Sequence, residues 1–155
     1  MNRFGLIAGL SIAALLPGSA MAADQHVFVQ PDGLKWAAAP PVLPQGAQIA
    51  VLYGDPGKAG PFVFRLKFPG GYKVAAHKHP NDYNVTVLSG TVYLGMGDKF
   101  DPARGQALSA GGYLHLPKGM HHYEWTTEDT VIQLSGVGPV GMTYLNPADD
   151  PRKTK

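Results

Sequence analysis

Five of the six histidines fall in two short windows, His77 and His79 in one and His115, His121 and His122 in the other. On a strand, residues i and i+2 share a face. His77 and His79 would then project side by side, about 6 to 7 Å apart along the backbone. Two imidazoles at that spacing can converge on one ion held about 2.0 to 2.2 Å from each nitrogen. A third ligand must arrive from a strand remote in sequence but adjacent in the fold, and His122 is the candidate. The chain has no cysteine, which removes thiolate ligands and disulfides together. Any metal must be held by His, carboxylate or Tyr.

The elements that would position these rings are short strands. Glycine and proline recur at close intervals between short apolar runs, the pattern of an all-β barrel or sandwich. No window of eleven or more residues keeps a 3.6-residue period, so no long helix is expected. Phe62, Phe64, Leu66 and Phe68 alternate with Val63, Arg65 and Lys67, which marks a half-buried strand. Further strands are expected at residues 49–53, 73–77, 84–88, 91–96, 113–116, 121–125, 131–134 and 141–145. The runs 84–88 and 91–96 flank Ser89-Gly90 and read as a hairpin, and residues 97–109 read as the longest polar connection. Gln133, polar in an apolar run, fits either the cavity or the surface.

The spacing of these residues resembles the cupin superfamily. Gly71, five residues, His77-Lys78-His79, three residues, Tyr83, six residues, Gly90 follows its first motif. Gly111, five residues, Pro117-Lys118-Gly119, two residues, His122 follows its second. The resemblance implies a single-domain jelly-roll barrel of the RmlC-like type, with six to eight strands and an internal metal held by His, His, Glu and His. Three of these ligands carry over, as His77, His79 and His122. Tyr83 stands where the family usually has Glu, and Thr126 where the second motif usually ends in Asn.

Three readings of the fourth position follow. The ion sits in a three-His site completed by water, compatible with Zn or Fe(II). Alternatively Tyr83 coordinates, although a phenol that ordinarily ionises near about 10 needs the metal to stabilise its anion. In the third, a carboxylate comes from elsewhere: Glu124 shares the strand parity of His122, whereas Asp82 should face away from Tyr83's side. The cofactor expected is one divalent ion, Fe, Zn or Mn.

Residues 1–22 read as a secretory signal peptide. Asn2-Arg3 opens it, Phe4 to Leu16 is apolar, and Ala20-Met21-Ala22 offers a small-residue cleavage site. The apolar run is shorter than the roughly 20 residues a membrane span needs, so export to the periplasm or beyond is expected, without a membrane role after cleavage. Residues 23–48 form an extension wrapping the barrel, 49–146 the barrel, and 147–155 a polar tail. Arg3 is the leader's one charged residue, so its loss takes the formal charge from +2 to +1. Such near-neutrality gives no field for nucleic acid.

The glycine-rich turns lack the Lys-Ser/Thr pair and following helix of a phosphate cradle, and no nucleophile elbow occurs. The expected partner is a small molecule, and the resemblance adds pairing of two copies through outer strands. Three functions fit, the first two being a metal-dependent enzyme of dioxygenase-like oxidation or isomerisation, with Tyr83 or Glu124 moving the proton, and a non-catalytic metal- or ligand-binding or sensing module. A metal-free interaction domain is the third.

Overall fold

Alternating burial along the chain sets the strands and the side from which each meets the core. The computed structural model describes residues 26–153, so the expected leader lies outside the described residues. Eleven strands follow one another: β1 (Ala37–Ala38), β2 (Gln48–Tyr53), β3 (Gly60–Phe68), β4 (Lys73–Lys78), β5 (Tyr83–Ser89), β6 (Thr91–Met96), β7 (Gln106–Ser109), β8 (Tyr113–Leu116), β9 (His122–Thr126), β10 (Thr130–Gly138) and β11 (Thr143–Tyr144). Among the described residues, helix is confined to three-residue 3₁₀ turns at Pro31–Gly33, Pro102–Arg104 and Pro147–Asp149.

The strands form two antiparallel sheets, in the orders β1-β2-β3-β10-β5-β8 and β11-β4-β9-β6-β7. This is the all-β jelly roll expected from the sequence, with short edge strands added to the implied six to eight. β3 shows why the layers pack. Phe62, Phe64, Leu66 and Phe68 are buried against the opposite sheet, each contributing about 1.5 to 3 kcal/mol. On the outer face, Arg65 Nε donates to Gln133 Oε1 at 3.1 Å across the β3–β10 register. Gln133 therefore belongs to the surface side and not to the cavity.

The expected hairpin at Ser89-Gly90 is corrected. β5 pairs with β10 and β8, β6 pairs with β9 and β7, and the two strands lie in different sheets. A crossover and a hairpin share one sequence signature, two alternating runs around a turn residue, so the pattern alone does not separate them. Gly90 takes φ +72°, and a Cβ there would meet the Asp129 carbonyl oxygen at 2.5 Å. Gly90→Ala is expected to cost about 1 to 3 kcal/mol, read as a lower urea midpoint with an unchanged slope. The polar connection after β6 also holds a strand that its composition hid, β7, paired to β6 from Thr91↔Ser109 to Leu94↔Gln106.

The segment before β2 is tied to both sheets. β1 pairs with β2, and Ala39 N–H donates to Ala47 C=O. The segment between them bridges toward the other sheet: Tyr72 Oη donates to Pro44 C=O at 2.6 Å and Tyr144 Oη to Val42 C=O at 2.8 Å. Two phenols thus pin one strap from below. The C-terminal tail is also tied down, with Asp150 6% exposed and paired to Arg152.

Candidate metal centre

His77 enters the interior because of an irregularity in β4. Val74 pairs with Glu124 and His77 with His122, so three steps along β4 match two along β9. The extra residue is a β-bulge, which re-aims the side chains that follow it. Without it, His77 would have the parity opposite to buried Val74 and point outward. With it, His77 is 0% exposed and sits across the β4–β9 pair from His122, 1% exposed. β4 ends at Lys78, so His79 lies just beyond the strand. Strand parity alone does not place it.

His79 is held by the loop that follows β10. Its Nδ1–H donates to Gly141 C=O at 2.8 Å. The other two rings are fixed alike, His77 Nδ1 on Ala75 C=O at 2.8 Å and His122 Nδ1 on Met120 C=O at 3.1 Å. A carbonyl can only accept, so each Nδ1 carries the proton and each Nε2 keeps a free lone pair. The ring centroids are 4.2 Å apart for His77–His122, 4.9 Å for His77–His79 and 5.1 Å for His79–His122. One ligand atom from each residue lies within 4.8 Å of the other two. Nitrogens sharing an ion at about 2.1 Å in a tetrahedral site lie about 3.4 Å apart, so the rings would draw together by up to about 1.4 Å from the 4.8 Å bound on loading.

The donor chemistry fits a divalent ion. The Nε2 atoms of His77 and His122 are buried without a hydrogen-bond partner, although buried polar atoms nearly always have one. Burial first, then the neighbouring imidazoles, holds the His77 pKa well below 6.5 and lowers His122 to about 4; burial also lowers His79. All three rings are neutral at pH 7, the form that ligates metal. The backbone carbonyls behind each Nδ1 supply the orienting partners that metal-bound histidines need.

Glu124 and Tyr83 face the same space. Glu124 is on the His122 face of β9, lines the internal cavity, and has its carboxyl pushed up to about 7 by burial. It is not in the group of donors that share the 4.8 Å neighbourhood. Tyr83, fully buried, packs edge-on to Phe62 and 4.7 Å from the His79 ring. Gly141 N–H donates to Tyr83 Oη at 3.1 Å, so the phenol retains its own proton for a further acceptor. Burial raises its pKa, so without a metal the phenol keeps its proton. Asp82 turns away as expected, its Oδ1 accepting from Lys118 N–H at 2.7 Å.

Backbone groups complete the site, and only one of them, Gly141, carried no signature in the sequence. Gly141 orients both His79 and Tyr83 through its backbone alone. The turn at Pro117-Lys118-Gly119 is tied to the first histidine window, Gly119 N–H donating to His79 C=O at 2.8 Å. Of the remaining histidines, His121 pairs with Asp98 and His115 with Asn84, both at the surface.

The ChrR cupin-like domain profile matches residues 24–141, which include every residue of the cluster. The chain belongs to this cupin-like family. Among solved structures, the polyketide cyclase RemF from Streptomyces resistomycificus superposes with a TM-score of 0.65 at 17% identity, over 82% of this chain and 90% of that one. A candidate acetylacetone dioxygenase from Methylibium petroleiphilum PM1 gives 0.62 at 21% identity, over 84% and 88%. An RmlC-like cupin from Shewanella frigidimarina NCIMB 400 gives 0.57 at 13% identity, over 73% and 91%. At these identities the likeness shows the fold alone. No curated protein matches the chain. For this cupin, the departure at Tyr83 stands beside an intact histidine trio.

Proposed function

We propose that the chain is an exported, metal-dependent cupin enzyme acting on a small molecule in the periplasm, with oxidation of the dioxygenase type or isomerisation as its chemistry. One observation carries this reading: three neutral imidazoles, each held at Nδ1 by a backbone carbonyl, bring one ligand atom apiece within 4.8 Å of one another, with His79 at the cavity wall. A divalent ion held there would supply Lewis acidity or, if redox-active, a route for electrons.

The chain's own residues do the rest. Glu124, with a carboxyl near neutrality, is suited to take up or return a proton at a substrate atom facing β9. Tyr83 donates its free hydroxyl proton as a hydrogen bond to the same region. The apolar walls exclude water, which strengthens both contacts.

Protein loaded anaerobically with Fe(II) is expected to show substrate-dependent oxygen uptake, or isomerisation, with a panel of small oxo acids and diketones. Glu124→Gln should keep its metal and lose about 10²- to 10⁴-fold in rate. An unchanged rate would remove Glu124 from the chemistry.

The second reading, a non-catalytic metal- or ligand-binding module, draws on Tyr83 at the position where the family usually has a carboxylate. Tight zinc with no turnover under any loading would favour it. Either way, the missing carboxylate leaves the ion's charge less compensated. Azide is expected to bind the zinc-loaded wild type about tenfold more tightly than Tyr83→Glu, a difference of about 1.4 kcal/mol. Equal affinities by titration calorimetry would count against that.

A further inference from the structure

The cavity beside the histidines is chemically lopsided. It has a volume of about 240 Å³, is partly open to solvent, and its polar side chains are His79, Tyr83 and Glu124. Two of them sit together at the candidate ion: His79 is a ligand, and the Tyr83 ring lies 4.7 Å from it, tilted; Glu124 lies on the His122 face of β9, two residues along the strand. The other side chains that line it are apolar. Phe64, Leu66, Val85, Leu116, Ile132 and Leu134 form the walls, and Val42 and Leu43 of the strap close another side. That last wall is fixed, because Tyr144 and Tyr72 hold the strap by its Val42 and Pro44 carbonyls.

We infer that the cavity takes a compact molecule with an apolar aliphatic or monocyclic body and one anionic oxygen head, the head lying at the His79–Tyr83 end. The head-group placement rests on the metal reading above; the apolar body does not. A divalent ion on three neutral imidazoles favours one negative charge, and the Tyr83 hydroxyl is the hydrogen-bonding side chain beside it. A second charge or a run of hydroxyls would lie against Leu134, Ile132 and Phe64, where no side chain could replace the water it lost. Sugar acids, dicarboxylates and nucleotides are therefore poor ligands. Size sets the other limit. At about 30 Å³ for each water-sized unit, the space holds on the order of eight to ten non-hydrogen atoms.

The test is calorimetric titration of the full chain, zinc-loaded and metal-stripped, with butanoate, hexanoate, octanoate and dodecanoate, with hexanedioate and gluconate as polar comparisons. Each added methylene should raise affinity roughly fourfold until the cavity is full near hexanoate or octanoate, and dodecanoate should bind more weakly. Hexanoate should exceed hexanedioate and gluconate at least tenfold in the zinc form. Comparable binding of gluconate or hexanedioate, or no dependence on chain length, overturns the inference. Hexan-1-ol against hexane-1,6-diol makes the same comparison without a head-group charge, and decides the apolar body even if no metal loads. Stripping zinc should weaken hexanoate at least tenfold while leaving the alcohol ranking intact. If zinc loads and stripping it changes nothing, the head-group placement is overturned; if no metal loads at all, the metal reading fails separately.

Discussion

His122→Ala is expected to abolish stoichiometric metal binding and, with it, the thermal stabilisation that metal gives the wild type. A ligand that binds only the folded state stabilises it by about 2.7 kcal/mol at a hundredfold excess over its dissociation constant. For a domain of this size that is a rise of about 10 °C in melting temperature. The variant should melt at the same temperature with and without added zinc, while the wild type gains that rise. Metal-free wild type is the reference for folding, because it keeps the buried imidazole. A variant that still gained the full increment from zinc would show that the ion sits elsewhere.

Acid is expected to act on the same three rings. Burial leads the causes that hold His77 well below its usual value of 6.5 and His122 at about 4. In the unfolded chain both would titrate near 6.5. Between those limits the unfolded state binds more protons than the folded one, so stability must fall as the pH falls. In metal-free protein the loss should begin below about pH 6.5 and grow until about pH 4. His122 alone would account for roughly 3 kcal/mol, at about 1.36 kcal/mol for each pKa unit. In loaded protein the same protons compete with the ion, so metal release should accompany the change. Urea midpoints measured from pH 7.5 to 4 would show it. A flat profile in metal-free protein would mean that the histidines are solvated and not buried.

The histidine trio was legible because its residue types are scarce and their intervals match a known pattern. The reason His77 faces inward was not. The i, i+2 argument assumes a regular strand, while the ring is aimed by a bulge in β4 and His79 lies beyond the strand's end. Alternating Phe62 to Phe68 announced β3 with its buried face, yet similar alternation on both sides of Gly90 suggested a hairpin where the chain changes sheets. Strand pairing is a long-range property, and a turn residue reports only that the chain turns. Gly141 was invisible as a site residue because it works through its N–H and C=O, which every non-proline residue possesses. Glu124 was found by parity, since β9 is regular from His122 to Thr126 and carries it to the cavity.

The most direct test of the shared ion combines elemental analysis with X-ray absorption on protein purified without an affinity tag. One divalent ion per chain is expected, with three imidazole nitrogens at about 2.0 to 2.1 Å, and almost none in the double variant His77→Ala/His79→Ala. Wild-type protein that carries no ion after purification and metal supplementation, or a double variant that carries as much as the wild type, would contradict the account.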